Sequence, residues 1–293
     1  MSRKKTILIF SAFVVLIALL SILLSVGMYK AEFYPQKNKT HLLRRIKNPN
    51  TAFNVIKPNA AKLLKQGDLI IHKNPTILDK KYRQKENYCS RIIGLPGDII
   101  KIENTQVYVN DVLFEGDFTK WFLYRVSTQE SCIFENLLSD FDVEIVQILN
   151  DGKACEIVCS KDISDLISKL PEVINIRKII VEERIHDINM FSSKGNTAMW
   201  NPDNIGPVVV PQKDLTVMIN PRNIGIYKYI IDFCEDNDLI FNVNEVKINN
   251  ELAETYTIKK NYYFVLNDNR YNRNDSRIWG FIPEDQIIGK VIN

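Results

Sequence analysis

The sequence predicts a mainly β core with an inserted mixed α/β domain and one N-terminal transmembrane helix. Three observations carry this expectation. Strand-turn-strand patterns dominate both ends of the chain beyond residue 50, the middle mixes helical and extended patterns, and residues 7–28 form an uncharged apolar run.

The apolar run is long enough to cross a hydrocarbon core of about 30 Å at about 1.5 Å per residue. Arg3, Lys4 and Lys5 precede it and place the N-terminus in the cytoplasm by the positive-inside tendency. It exceeds the apolar part of a cleaved secretory leader, and Tyr29-Lys-Ala-Glu offers no small-x-small cleavage site. Residues 1–6 are therefore expected as a cytoplasmic tail, 7–28 as a signal anchor and 29–50 as a juxtamembrane linker. Lys37, Lys39, Arg44 and Arg45 would hold that linker near lipid headgroups. No second run of this length follows, which predicts a single-pass protein of the inner membrane with its main domain in the periplasm.

Residues 51–114 read as the first part of the β core. Gly67-Asp68 is a turn feeding the apolar stretch Leu69-Ile-Ile-His-Lys. Arg91-Ile-Ile ends in the breakers Gly94-Leu-Pro96-Gly97, and Ile99–Asp111 alternates apolar and polar residues as a hairpin does. Residues 115–260 read as the insertion. Ser131–Val146 and Ile163–Leu170 have helical spacing, Val173–Val181 reads as extended, Ile224–Cys234 suits a short amphipathic helix, and Phe241–Asn250 suits a second hairpin. Residues 261–293 return to the β core.

Composition narrows the function classes. The 293-residue chain is 45% hydrophobic and 25% charged, as a folded protein is, and a net charge of +3 argues against nucleic acid as a partner. Five cysteines leave at least one thiol unpaired and form no disulfide framework. Cys155 and Cys159 lack a second pair or a nearby histidine, and His41, His72 and His186 are scattered. Neither a metal nor any other cofactor is implied.

Two segments carry more specific information: Arg91-Ile-Ile-Gly94-Leu-Pro96-Gly97-Asp98, and Asp268-Asn269-Arg270 followed by Asp275-Ser276-Arg277-Ile-Trp-Gly-Phe-Ile-Pro283. With the earlier Gly67-Asp68 pair, they closely resemble the signature boxes of type I signal peptidases, in the same order. Trp200-Asn-Pro-Asp-Asn-Ile-Gly-Pro207 and the Tyr-rich stretch after it resemble the larger Bacteroidetes-type members of that family. The resemblance implies a β-rich core at the outer membrane face that accepts a signal-peptide end as an added strand. It also implies cleavage after small residues by a serine, with a buried neutral lysine as general base and a hydroxyl orienting that lysine.

The positions that would carry this chemistry hold other residues. Spacing back from Gly67-Asp68 puts the nucleophile at Asn59, and a register anchored on Pro58 puts it at Val55; neither offers a hydroxyl. The base, immediately before Arg91, is Ser90. The lysine-orienting hydroxyl matches Arg273, and the glycine before Asp268 is Asn267. The scaffold residues of the boxes remain. This pattern points to an inactive relative acting near secretory or envelope proteins as a binding or assembly subunit, with membrane lipid, a protein partner and signal-peptide-like segments as its contacts. Two alternatives are an active peptidase using Ser90 with Lys57 or Lys62, and a purely structural subunit presenting Trp121, Phe122, Tyr124, Tyr227 and Tyr229 to a partner.

Overall fold

Six antiparallel strands form the central sheet, in the order Asn54–Ile56, Ile287–Ile292, Leu69–Lys73, Asn87–Gly94, Tyr262–Leu266 and Ile282–Pro283. Segments from both ends of the sequence therefore alternate within one sheet, so the Gly67, Arg91 and Asp268 boxes become neighbours. The computed structural model describes residues 54–56, 64–73, 87–116, 118, 120–193 and 199–292.

Strand identity follows from alternation and β-branching. Ile70, Ile92, Tyr263, Val265, Ile282 and Ile287 bury one side of the sheet with Leu64 and Trp279. Ile93, Phe264 and Leu266 belong to a second core, shared with the strand pair Ile99–Glu103 and Gln106–Val109. That pair, Val112–Leu113 and Ile205–Val209 make a four-stranded sheet. Its hairpin ends use Asn104-Thr105 and Asn110-Asp111, all at positive φ, as two-residue turns between right-twisted strands require. Asn249-Asn250 does the same between Val246–Ile248 and Glu251–Leu252.

A separate four-stranded sheet has the order Val173–Lys178, Trp121–Thr128, Ala154–Ser160 and Glu144–Leu149. Two short helices, Phe134–Leu137 and Lys161–Ile167, cover its core of Tyr124, Val126, Phe134, Ile157 and Ile167. Ser160 caps the second helix by accepting from the Ile163 N–H at 3.3 Å. Cys155 and Cys159 both lie in this core, where burial pushes each thiol up to about 12 and leaves it protonated at neutral pH. All five cysteines are free thiols.

Several expectations change here. The fold is a mostly β core with small α/β insertions rather than a core carrying one inserted mixed domain. The helical spacing read over Ser131–Val146 yields only the four-residue helix Phe134–Leu137, and a strand begins at Glu144. Val143, Ile145 and Val146 are β-branched, and the turn at Asn150-Asp151-Gly152 returns the chain to pair with Ala154–Ser160. Ile224–Cys234 is helical throughout, with a wider π turn over Ile230–Cys234.

The transmembrane part of the predicted fold class is also corrected. No helix among the described residues is long and apolar enough to cross a membrane. The run at 7–28, with its flanking tail and linker, lies outside the described residues. The single-pass inner-membrane topology, the periplasmic placement and the membrane-lipid contact all rested on that helix and are withdrawn with it. The proposed partner surface fails for a different reason. Tyr124 is buried, Trp121 and Phe122 pack against the same core, and Tyr227 and Tyr229 pack against the larger one. The structural-subunit reading, which rested on these side chains, loses its support accordingly, and nothing among the described residues supports the assembly-subunit reading.

The glycine of the Arg91 box is required by packing. A Cβ on Gly94 would stand 2.6 Å from Ile100 Cδ1 and 2.8 Å from Val210 Cγ2, both in the larger core. Gly94→Ala should therefore destabilise the fold by about 1–3 kcal/mol through overpacking. Urea denaturation would show this as a lowered midpoint at unchanged slope.

Candidate functional site

The site is built where the three boxes meet. Lys65-Gln66-Gly67-Asp68 is a tight turn with Gly67 at φ 86° and the Asp68 N–H bonded to the Lys65 carbonyl at 3.2 Å. Leu95-Pro96-Gly97-Asp98 is a second such turn. Pro96 presets the first central position, Gly97 takes φ 91° at the next, and the Asp98 N–H reaches the Leu95 carbonyl at 3.0 Å. The Asp98 carboxylate closes this turn, accepting from Leu95 N, Gln66 Nε2 and Asn110 Nδ2, each at 2.8 Å. Asp68 is ion-paired with Lys290 at 2.6 Å, which ties the first turn to the last strand.

Arg91 joins the boxes. Its Nε and Nη2 grip both oxygens of Asp268 at 2.7 and 2.6 Å, and Nη1 donates to the Gly67 carbonyl at 2.6 Å. The guanidinium lies 4.0 Å from the Phe118 ring centre. A two-pronged charged pair of this kind fixes direction as well as distance.

The loop after Tyr262–Leu266 is folded around Arg277. Its Nε and Nη2 bind Asp275 at 2.9 and 2.8 Å, while Nη1 and Nη2 hold the carbonyls of Arg270 and Asn272, each at 2.8 Å. Asp275 also caps the short helix Ser276–Trp279 and accepts from the Asn267 N–H at 3.0 Å. The buried Ser276 hydroxyl accepts from Val265 N–H at 2.8 Å. Asn269 accepts from the N–H groups of Tyr271 and Asn272, and the flanking backbone pairs with Trp121 at the start of an inner strand of the separate sheet. The boxes therefore behave as hydrogen-bonded struts.

Ser90 sits inside this frame, 1% exposed. It pairs with Ile70 across the sheet, so its side chain emerges on the same face as that of His72, two residues further along. His72 Nε2 is 3.1 Å from the Ser90 hydroxyl, and Asn267 Oδ1 lies 3.1 Å from the same oxygen. Proton counting defines the arrangement. His72 Nδ1 is 2.9 Å from the Lys73 carbonyl, which can only accept, so Nδ1 carries the proton. Burial lowers the His72 pKa to about 4, against the opposing Lys73 hydrogen bond and the Asp275 charge, so the ring is neutral and Nε2 is an acceptor. Asn267 Nδ2 donates to the Asn274 carbonyl at 3.0 Å, which turns Oδ1 toward Ser90. One hydroxyl proton thus faces two acceptors, and Ser90 is held from both sides. Tyr88 and Trp279 pack around the imidazole with ring centres at 6.3 and 5.9 Å.

The structure therefore gathers Gly67, Asp68, Ser90, Arg91, Gly94, Pro96, Gly97, Asp98, Asp268, Asn269, Arg270, Asp275, Ser276 and Arg277 around one end of the central sheet. Arg273 lies on the same loop but points to Asp187, with which it is ion-paired at 3.2 Å. Asn59 lies outside the described residues, as do Lys57 and Lys62. The displaced-pair alternative is corrected: the Ser90 hydroxyl is buried against His72 and Asn267. Sequence reasoning passed over His72, which it met as one of three scattered histidines. Only strand register places it beside Ser90. Among the described residues, no group of three or more His, Cys, Asp or Glu side chains is placed to hold a metal ion.

This geometry agrees with comparison to known proteins. Residues 5–144 and 207–293, well over half of the chain, match the family model described as signal peptidase, peptidase S26. The chain belongs to the peptidase S26 family. Signal peptidase I of Buchnera aphidicola subsp. Baizongia pistaciae is 26% identical over 84% of this S26 chain and 59% of its own length. The corresponding protein of Buchnera aphidicola subsp. Acyrthosiphon pisum is 26% identical over 78% of this chain and 52% of its own. Signal peptidase I U of Bacillus subtilis is 39% identical over 27% of this chain and 37% of its own length. The S26 chain thus spans a little over half the length of the curated relatives it matches over most of its own.

Two outcomes follow from the site. Asp268→Asn leaves Arg91 without its counter-ion in a largely buried position and should cost about 3–5 kcal/mol, read from urea denaturation. His72 makes stability depend on pH, because its folded pKa lies below the unfolded value of 6.5. Between those values the unfolded chain binds the extra proton, so stability falls as pH drops from 6.5 through about 4. The full loss is about 3 kcal/mol. Urea titrations of the wild type and His72→Gln across this range should show the slope in the first and its flattening in the second.

Proposed function

We propose that this S26 protein is a catalytically degenerate member of the Bacteroidetes type, in which the family core persists without peptide-bond hydrolysis. The observation that carries this reading is the environment of Ser90. A general base must reach its proton at roughly 2.6–3.2 Å and hold a suitable pKa. The residue before Arg91, where the family pattern has its lysine, is instead a buried hydroxyl between His72 and Asn267. A serine cannot take a proton from a nucleophile at neutral pH.

Two further positions support the reading. Asn59, where spacing from Gly67-Asp68 puts the nucleophile, carries an amide, and Val55, the position given by a register anchored on Pro58, carries no hydroxyl either. Arg273, at the position of the orienting hydroxyl, is a permanent cation already paired with Asp187. Ser90 and His72 also fail as a substitute nucleophile and base. Ser90 is 1% exposed, and its Oγ is hemmed in by His72 and Asn267, which closes it to an incoming carbonyl carbon. The lineage assignment rests on Trp200–Pro207 and the Tyr-rich helix Ile224–Tyr229 that follows.

Cleavage of a secretory precursor tests the proposal directly. The full chain, incubated beside an active S26 enzyme, should yield no product over a period in which the control goes to completion. A signal-site product that disappears in Ser90→Ala would overturn the reading and establish a working centre built on that serine.

A further inference from the structure

Counting charge in the buried part of the last box leaves one cation over. Arg91, Arg270 and Arg277 lie close enough to influence one another, together with Asp268 and Asp275. Both oxygens of Asp268 are taken by Arg91, and both oxygens of Asp275 by Arg277. Arg270 is 9% exposed and makes no side-chain hydrogen bond or ion pair among the described residues; its Nε is buried without an acceptor. An unpaired buried guanidinium is costly, because desolvation is not repaid by a partner. Burial, followed by the Arg277 charge, lowers the Arg270 pKa to about 10.

Arg270 lines two cavities. One, of about 10 Å³ beside Arg277, has room for a single water at most. The other is about 50 Å³ and is lined by Arg270 and Arg273, with Thr105 and Asp203 and the apolar side chains of Phe122 and Ile179 also on its wall. The other charges near it are already matched. Arg273 pairs with Asp187, while Asp203 accepts from Val181 N–H and exerts its attraction on Lys178. Lys178 donates to the Thr105 hydroxyl oxygen at 2.6 Å, which leaves that hydroxyl's own proton to donate elsewhere. The cavity therefore offers two guanidinium groups, a hydroxyl donor and an apolar side, with one positive charge in excess.

We propose that this cavity binds a small carboxylate, which supplies Arg270 with its missing counter-ion. The flat, two-oxygen head matches the planar donor fork of arginine. The apolar wall of Phe122 and Ile179 accommodates a short aliphatic tail. The site belongs to the loop that carries Arg273, so the substitution read above as a lost hydroxyl also supplies a second cation to this cavity.

Thermal unfolding of the full chain in sodium acetate, against sodium chloride and sodium phosphate at matched ionic strength and pH, tests the proposal. Acetate should raise Tm saturably, by about 3 °C at roughly tenfold excess over its dissociation constant. Chloride should give only the shallow trend of ionic strength. Arg270→Gln should abolish the acetate response, and Arg270→Lys, which keeps the charge but not the fork, should weaken binding about tenfold. Equal responses of the wild type to acetate and chloride would overturn the proposal, whether or not the variants fold. So would an acetate response that survives Arg270→Gln. A phosphate response exceeding that of acetate would overturn the carboxylate assignment.

Discussion

The geometry of the candidate site depends on Arg91. Its guanidinium binds Gly67 and Asp268, which lie far apart in sequence, and it does so from the middle of a strand whose neighbours carry both. Backbone hydrogen bonds from Gly67 N to the Ile92 carbonyl and from Ile92 N to the Asp68 carbonyl, each 2.8 Å, hold the turn before Leu69–Lys73, and others tie Asp268 and Arg270 to Trp121. Arg91 adds the side-chain bond that joins that turn to the loop after Tyr262–Leu266. Its three short bonds leave the loop one direction in which to depart, and Asp275 and Arg277 then fold that loop back on itself.

This constraint gives the residues of the boxes a structural role apart from any chemistry at the site. Asp268 holds the Arg91 guanidinium, Asp275, Arg277 and Asp98 hold backbone, and Gly94 fills a position that admits no larger group, so replacing any of them disturbs the packing of the sheet. The slot at Ser90 has a looser requirement. It needs a side chain that can live in a buried polar niche, and a hydroxyl between His72 and Asn267 meets that need without bringing another charge next to Arg91.

Much of this was legible in the sequence because it is local. Pro96-Gly97-Asp98 encodes its turn through a fixed φ and a positive φ in succession, and the alternation either side of Glu103-Asn104-Thr105 marks a hairpin whose Asn104 and Thr105 both take positive φ. The box motifs brought the Gly67, Arg91 and Asp268 segments into one core because their resemblance carried long-range information that no local pattern holds, while the Arg91–Asp268 bond itself appears only in the structure. Ser131–Val146 failed for the opposite reason: its spacing suited a helix, while pairing with Ala154–Ser160 across the Asn150-Asp151-Gly152 turn decided the outcome. His72 was illegible because its role depends on register alone. One residue of slip between Leu69–Lys73 and Asn87–Gly94 would turn it to the other face.

The excess charge at Arg270 was equally hidden, since the sequence places Asp268, Arg270, Asp275 and Arg277 close together and invites a simple pairing of opposites. The structure pairs them differently. Arg91 arrives from another strand and takes both oxygens of Asp268, which turns an apparently balanced loop into one with a cation left over. The same bond that orients the loop therefore creates its electrostatic deficit. A scaffold that retains Arg91–Asp268 for geometry keeps an unneutralised Arg270 beside a cavity, independently of whether the hydrolytic residues remain.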